Sequence, residues 1–337
     1  MTKKRPIDKQ REGAITLTIG DDDDKSAAQE FLSTSSALYV IKGSGVYKIQ
    51  LADDIDPDRV NPNIPNLSQR VLSAGYDNEI VARVLLTAKY LFDENNATVK
   101  PFVGSFFEKS IDLTKHVLEL HEMISELRDS INSKGEAFLE KEQKPNAFCL
   151  PSIPDLDKSL HNIFLKADKA KDDMLLLYRL HFLPDSVKKP KLKEYDEAVE
   201  QLSSKNFDLV SAWNEIKKIN NLIRNMRNAS EHRQKGNQVV LTDFSMNSDG
   251  SVNPPLVEIQ HKDTPIGLLP VVELLDFMQE QVLGHAESSI VFIKCASLLD
   301  NNPFSEWVSE FEPKDRRHPM VRYYRAINIE GTMRILG

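Results

Sequence analysis

A chain of 337 residues with 40% hydrophobic and 28% charged side chains has an ordinary globular composition, which excludes wholesale disorder and leaves material for one large core or two moderate ones. A formal charge of −8 argues against a protein that coats nucleic acid through bulk charge, though not against a local basic site. The 13 glycines are few for an all-β or glycine-loop enzyme, no apolar run is long enough to span a membrane, and nothing after Lys3, Lys4 and Arg5 reads as a signal peptide, so a cytoplasmic location is expected.

In chain order, residues 1–30 read as a flexible tail, with the acidic run Asp21-Asp22-Asp23-Asp24-Lys25 as a solvated linker. Residues 31–100 read as a small α/β region. Within it, Leu38 to Leu51 alternate as a short hairpin turning at Gly43-Ser44-Gly45, the Pro-rich stretch 53–66 is extended, and a helix runs from Leu67 to Phe92 with a break near Gly75. Residues 101–300 read as a helical domain. The spacing predicts helices over 103–142, 155–183, 192–203, from Asn206 to before Gly236, and 269–299, with a β-hairpin at 238–262 that turns at Ser248-Asp249-Gly250. Residues 301–337 read as a C-terminal extension with a strand around Val321–Ile327. The two cysteines, Cys149 and Cys295, each have apolar neighbours and read as buried free thiols of a reducing compartment. The fold class expected is therefore mainly α.

The strongest chemical signal is Leu222-Ile223-Arg224-Asn225-Met226-Arg227-Asn228-Ala229-Ser230-Glu231-His232. On a helical wheel Ile216, Ile219, Leu222, Ile223 and Met226 share one arc, while Arg224, Arg227, Asn228, Glu231 and His232 share the other. Such a set suits phosphodiester chemistry. A guanidinium fork holds phosphate and stabilises charge developing on it. An imidazole moves protons near neutrality, and a carboxamide orients either group. A ribose 2′-hydroxyl as nucleophile would need no metal.

Arg227-Asn228-x-x-x-His232 resembles the Arg-(polar)-x-x-x-His signature of the HEPN superfamily, α-helical proteins that include metal-independent ribonucleases of toxin–antitoxin, CRISPR and antiphage systems. The resemblance implies a HEPN-like helical bundle, here with a hairpin insertion, and a homodimer in which two motifs meet. It also implies that Arg227 holds the scissile phosphate, Asn228 orients, and His232 acts as general base or acid. Arg224, Arg233 and Lys235 would contact the RNA beside them, with no cofactor, no metal and no membrane, and with an antitoxin or defence-system protein as a further partner. Two alternatives stand beside this reading. A histidine in a last helical turn caps carbonyls, and Arg227 can pair with Glu231 at i,i+4. A HEPN-like module can also bind RNA or a protein, or dimerise, without catalysis.

Weaker signals point elsewhere. His116 and His121 lie five apart, which splays them by about 140° on a helix and suits no zinc site. The basic and aromatic run Lys314 to Arg325 could grip RNA, but its tyrosines are more readily read as packing on a core. Lys188, Lys189, Lys191 and Lys193 read as solubilising a loop. No GxGxxG, P-loop, GxSxG or HExxH motif is present.

Overall fold

The computed structural model describes all residues other than 1–4, 13–17, 21–23, 35, 93–99, 141–148, 185, 188–189, 204–206, 233, 301–305, 330 and 337. It divides into two compact units, Met1–Ile111 with Pro303–Gly337, and Asp112–Asn302. The expectation of a mainly α bundle is corrected: the structure is 53% helical with 21% strand, and the described residues form four antiparallel sheets. Among the described residues, no helix is long and apolar enough to cross a membrane.

The first unit begins with α1 (Pro6–Arg11) and β1 (Ala28–Ser33), in the stretch that reads as a flexible tail. Its described residues are anchored. The Arg11 guanidinium, 7% exposed, bonds Asp53 Oδ1 at 2.9 Å and Asp56 Oδ2 at 3.1 Å. Asp24, from the acidic run, accepts from Ser26 Oγ and Tyr47 Oη, which hold its carboxyl well below the usual range, and it also pairs with the buried Lys42. Asp21, Asp22 and Asp23 lie outside the described residues.

β2 (Leu38–Lys42) and β3 (Val46–Gln50) form the expected hairpin, followed by α2 (Ala52–Ile55) and β4 (Leu67–Leu72), giving an antiparallel sheet in the order β1-β2-β3-β4. The helix expected from Leu67 is thus a strand until Leu72. It supplies the edge that β3 requires, and this pairing overrides the local apolar spacing. Helix starts only at α3 (Glu79–Val81), where the Asn78 side chain accepts from the amides of Ile80 and Val81. A π-helical segment, Ala82–Leu86, continues into α4 (Thr87–Leu91), and nearly all of its side chains are buried. Gly75 sets the strand-to-helix joint. A Cβ there would lie 2.0 Å from the Lys42 carbonyl oxygen, while the Tyr76 amide donates to that same oxygen at 2.7 Å.

α5 (Lys100–Leu139) starts in the first unit and gives most of its length to the second. Val117, Leu120, Ile124, Leu127 and Ile131 make its buried stripe. α6 (Leu156–Phe182), α7 (Leu192–Ser203), α8 (Phe207–Glu231) and α9 (Val271–Asp300) complete the helices close to their expected bounds. α9 is buried on most sides from Val282 onward, whereas Glu273, Asp276, Phe277 and Glu280 keep one face of its first half exposed. Around it Tyr178, Trp213 and Phe292 cluster, with Trp213 stacked on Phe292 at 6.0 Å. Asp196 ties α7 to α8 by accepting from Trp213 Nε1 at 2.7 Å and Lys217 Nζ at 2.9 Å.

The expected hairpin is richer than a two-stranded insertion. β5 (Gln238–Thr242) pairs with β8 (Leu256–Gln260), and β6 (Ser245–Met246) with β7 (Val252–Asn253) around the positive-φ Gly250. A third strand, β9 (Ile266–Pro270), then extends the sheet as β5-β8-β9. Val239, Val257 and Ile259 bury its inner face, and α8 and α9 pack against it.

The C-terminal residues return to the first unit as β10 (Glu306–Glu310), β11 (Tyr323–Ile329) and β12 (Thr332–Ile335). Tyr324 is buried there, and the buried His318 meets the Tyr76 carbonyl at 2.9 Å through Nε2. The aromatic run therefore packs. Cys149 is exposed, not buried, because it lies in the loop ahead of Pro151. Cys295 is half-buried, and burial pushes its thiol up to about 11.

Candidate functional site

The last two turns of α8 hold the motif. Ile216, Ile223, Met226 and Ala229 are buried on one side, so the residues opposite them face outward. Arg224 is exposed, Arg227 and Asn228 are half-buried, and Glu231 and His232 are exposed, as the wheel predicts. α8 ends at Glu231. His232 is the next residue, its amide still donating to the Asn228 carbonyl at 2.9 Å and its side chain 64% exposed.

Arg227 is held from two directions. Nη1 donates to Asn228 Oδ1 at 3.1 Å, and Nη2 pairs with Glu231 Oε2 at 2.7 Å. The same Glu231 oxygen lies 3.7 Å from His232 Nε2. Asn228, Arg227, Glu231 and His232 thus form a continuous polar chain in which one carboxylate faces both the guanidinium and the imidazole. Sequence reasoning placed Glu231 on the right arc but saw in it only a surface ion pair. The bridge to His232 depends on how the chain leaves the helix.

The helix end is fixed to α6. The Ser230 hydroxyl donates to the Arg227 carbonyl at 2.7 Å and lies 3.0 Å from His161 Nδ1. No signal in the sequence pairs His161 with Ser230. No family model, curated protein or solved structure matches the chain. The site therefore has to be judged on its own geometry.

Lys235 is exposed in a tight turn, where Gln234 and Asn237 exchange backbone hydrogen bonds and Gly236 takes a positive φ. Arg233 lies outside the described residues. Arg224 points to a different place from Arg227 and His232: it lines an open cavity of about 380 Å³ formed by α6, α7 and α8. Of the expected RNA-contacting cations that are described, Arg224 and Lys235 thus do not converge on one spot. One serves the cavity, while Lys235 follows the motif.

Among the described residues no group of three or more His, Cys, Asp or Glu is arranged to hold a metal ion. His116 pairs through Nδ1 with Asp173 across α5 and α6. Burial pushes the Asp173 carboxyl up, and the imidazole opposes that.

Chemically, the α8 terminus can offer a phosphate one guanidinium that is already oriented, with an imidazole open to solvent. Glu231 competes for that guanidinium. An i,i+4 pair exposed to this degree is worth only about 0.3–0.5 kcal/mol. A phosphate brings more charge and more acceptor oxygens to the same fork than this single carboxylate contact does, so it can displace the carboxylate.

Proposed function

We propose that the chain is a metal-independent endoribonuclease of HEPN type, active as a homodimer in the cytoplasm in a toxin or antiphage-defence setting, with an antitoxin or defence-system protein as a partner. One observation carries this reading: Arg227, Asn228 and His232 lie together at the end of α8, with the Arg227 fork oriented by Asn228 and the His232 imidazole free to meet a substrate.

In this scheme Arg227 grips the scissile phosphate and stabilises the charge that builds on its oxygens. His232 takes the proton of the ribose 2′-hydroxyl, and the 2′-oxygen forms the new bond to phosphorus. The bond to the 5′-oxygen breaks, and the leaving oxygen takes a proton from the imidazolium of the second copy or from water. The products are a 2′,3′-cyclic phosphate and a 5′-hydroxyl. Asn228 and Glu231 position the two working groups.

A second reading is favoured by the Arg227–Glu231 pair: the same surface binds RNA or a protein without cutting. The purified chain incubated with RNA in excess chelator separates the two. Cleavage with cyclic-phosphate ends, lost in His232→Ala and in Arg227→Ala with folding and oligomeric state unchanged, supports the nuclease. Cleavage that survives both substitutions, or no cleavage of any RNA by the parent, removes it in favour of binding.

A further inference from the structure

The cavity that Arg224 lines includes none of the polar chain Asn228–Arg227–Glu231–His232. Its floor comes from two helices that pack together, α6 and α8, and α7 lies against both. α6 gives Lys171, Leu175 and Arg179 at successive i,i+4 positions, with Leu176 beside them. α8 gives Asn220 and Arg224, again i,i+4. Arg224 donates to Asn221 Oδ1 at 3.0 Å but forms no ion pair with a carboxylate among the described residues, and neither does Arg179. Lys171 differs, being paired with Asp168 and with Asp172, which also lines the cavity, so these two charges offset each other and Arg179 and Arg224 are left to meet an anion.

A second observation comes from Asn220, which is 6% exposed. Its Oδ1 lies 3.0 Å from His285 Nε2 on α9, and its Nδ2 has no hydrogen-bond partner among the described residues. Exchanging the two ends of the carboxamide does not remove the problem. Whichever end meets the imidazole, the other is left over on a residue that lines the cavity. Buried polar atoms in native proteins are nearly always paired, so an orphan at the wall of a pocket points to a missing group.

We propose that this cavity binds a phosphorylated nucleoside, either as a free mononucleotide or as the terminal nucleotide of an RNA. A volume of about 380 Å³ is in the range of small-ligand pockets. Two guanidinium forks from different helices can share the three outer oxygens of a phosphate, and their fixed planar donors suit that group. Leu175, Leu176 and Tyr195 offer the apolar surface that a flat base needs. Asn220 supplies an amide end for a polar edge of the ligand. This inference does not rest on cleavage at His232.

The test is titration calorimetry of the full chain with AMP and, separately, with a 5′-phosphorylated hexaribonucleotide. Saturable AMP binding, weakened about tenfold or more in Arg179→Gln and unchanged in His232→Ala, is the expected result. Competition then assigns the source: an RNA end that displaces AMP more tightly than AMP binds makes the site an end-binding one, and failure to compete makes it a free-nucleotide site. Melting of Arg179→Gln without ligand checks that it folds. No saturable binding of either probe overturns the proposal, as does AMP binding of equal strength in a folded Arg179→Gln. Because His232→Ala tests cleavage and Arg179→Gln tests the cavity, each can fail without the other.

Discussion

His285 gives a pH dependence that can be worked out from its surroundings. Its imidazole is 2% exposed on α9, and burial pushes it from the ordinary 6.5 down to about 4. The unfolded chain takes up this proton near pH 6.5, whereas the folded chain resists until about pH 4. Between those values the unfolded state binds more protons, so stability is full above pH 6.5 and falls as the pH drops toward 4. A displacement of that size is worth about 3 kcal/mol in total, and about 2 kcal/mol of it is lost by pH 5. The carboxyls held below their usual values, such as Asp8 and Asp53, act in a lower window, beneath about pH 4. The comparison protein is His285→Gln, whose amide can still donate to Asn220 but does not titrate. Urea unfolding followed at Trp213, in a Trp307→Phe background, reports on the unit that contains His285. From pH 7.5 to 5.0 the parent should lose about 2 kcal/mol more than the variant. Equal losses, within about 0.5 kcal/mol, would refute the assignment of a neutral buried imidazole.

Three further outcomes follow from single contacts. Glu231→Gln removes the carboxylate competing for Arg227, so binding of a 2′-O-methyl RNA that cannot be cut should tighten roughly two- to fivefold; weaker binding would mean that Glu231 contributes to RNA contact. Asp196→Ala leaves the buried indole N–H of Trp213 without its acceptor and should cost about 1–3 kcal/mol in urea unfolding read at Trp213; no loss would show that the α7–α8 tie carries no weight. Gly75→Ala forces a Cβ to 2.0 Å from the Lys42 oxygen and should destabilise the first unit by about 1–3 kcal/mol or more, read at Trp307; an unchanged midpoint would contradict the close approach.

The helices of the second unit were legible because each carries its own periodicity. α7 is a case in point: Pro190 ahead of it and buried Tyr195 and Val199 four apart define it without outside help. The strands that went unread depend on partners far along the chain. β4 looks helical in isolation and becomes a strand only because β3 needs a neighbour. β11 answers the strand expected around Val321–Ile327, but β10 and β12 beside it went unread, and nothing local announces that their sheet belongs to the same unit as the N-terminal residues. The site divides in the same manner. Arg227, Asn228, Glu231 and His232 lie within one stretch of helix, so their shared face could be read directly. The cavity could not. Leu175 and Leu176 look like core residues, and Arg179 meets Arg224 only because α6 and α8 pack together.

The ion pair at the end of α8 does not by itself decide between cutting and binding, because it is too weak to keep a phosphate out. Enclosure is the stronger criterion. His232 is 64% exposed and Arg227 31% exposed in one copy of the chain, so water screens both groups. Charge stabilisation of a phosphoryl transition state is large only where water is excluded. A lone copy should therefore hold RNA but cleave it slowly. A second copy laid across the ends of the two α8 helices would cover both imidazoles and bring a second proton donor to the leaving oxygen. Specific activity should then rise with protein concentration until the dimer saturates, and mixing parent with His232→Ala chains should lower it more than dilution does. Specific activity that stays constant down to concentrations where sedimentation shows only monomer would place all the catalytic groups in a single copy, and the dimeric scheme would have to be abandoned.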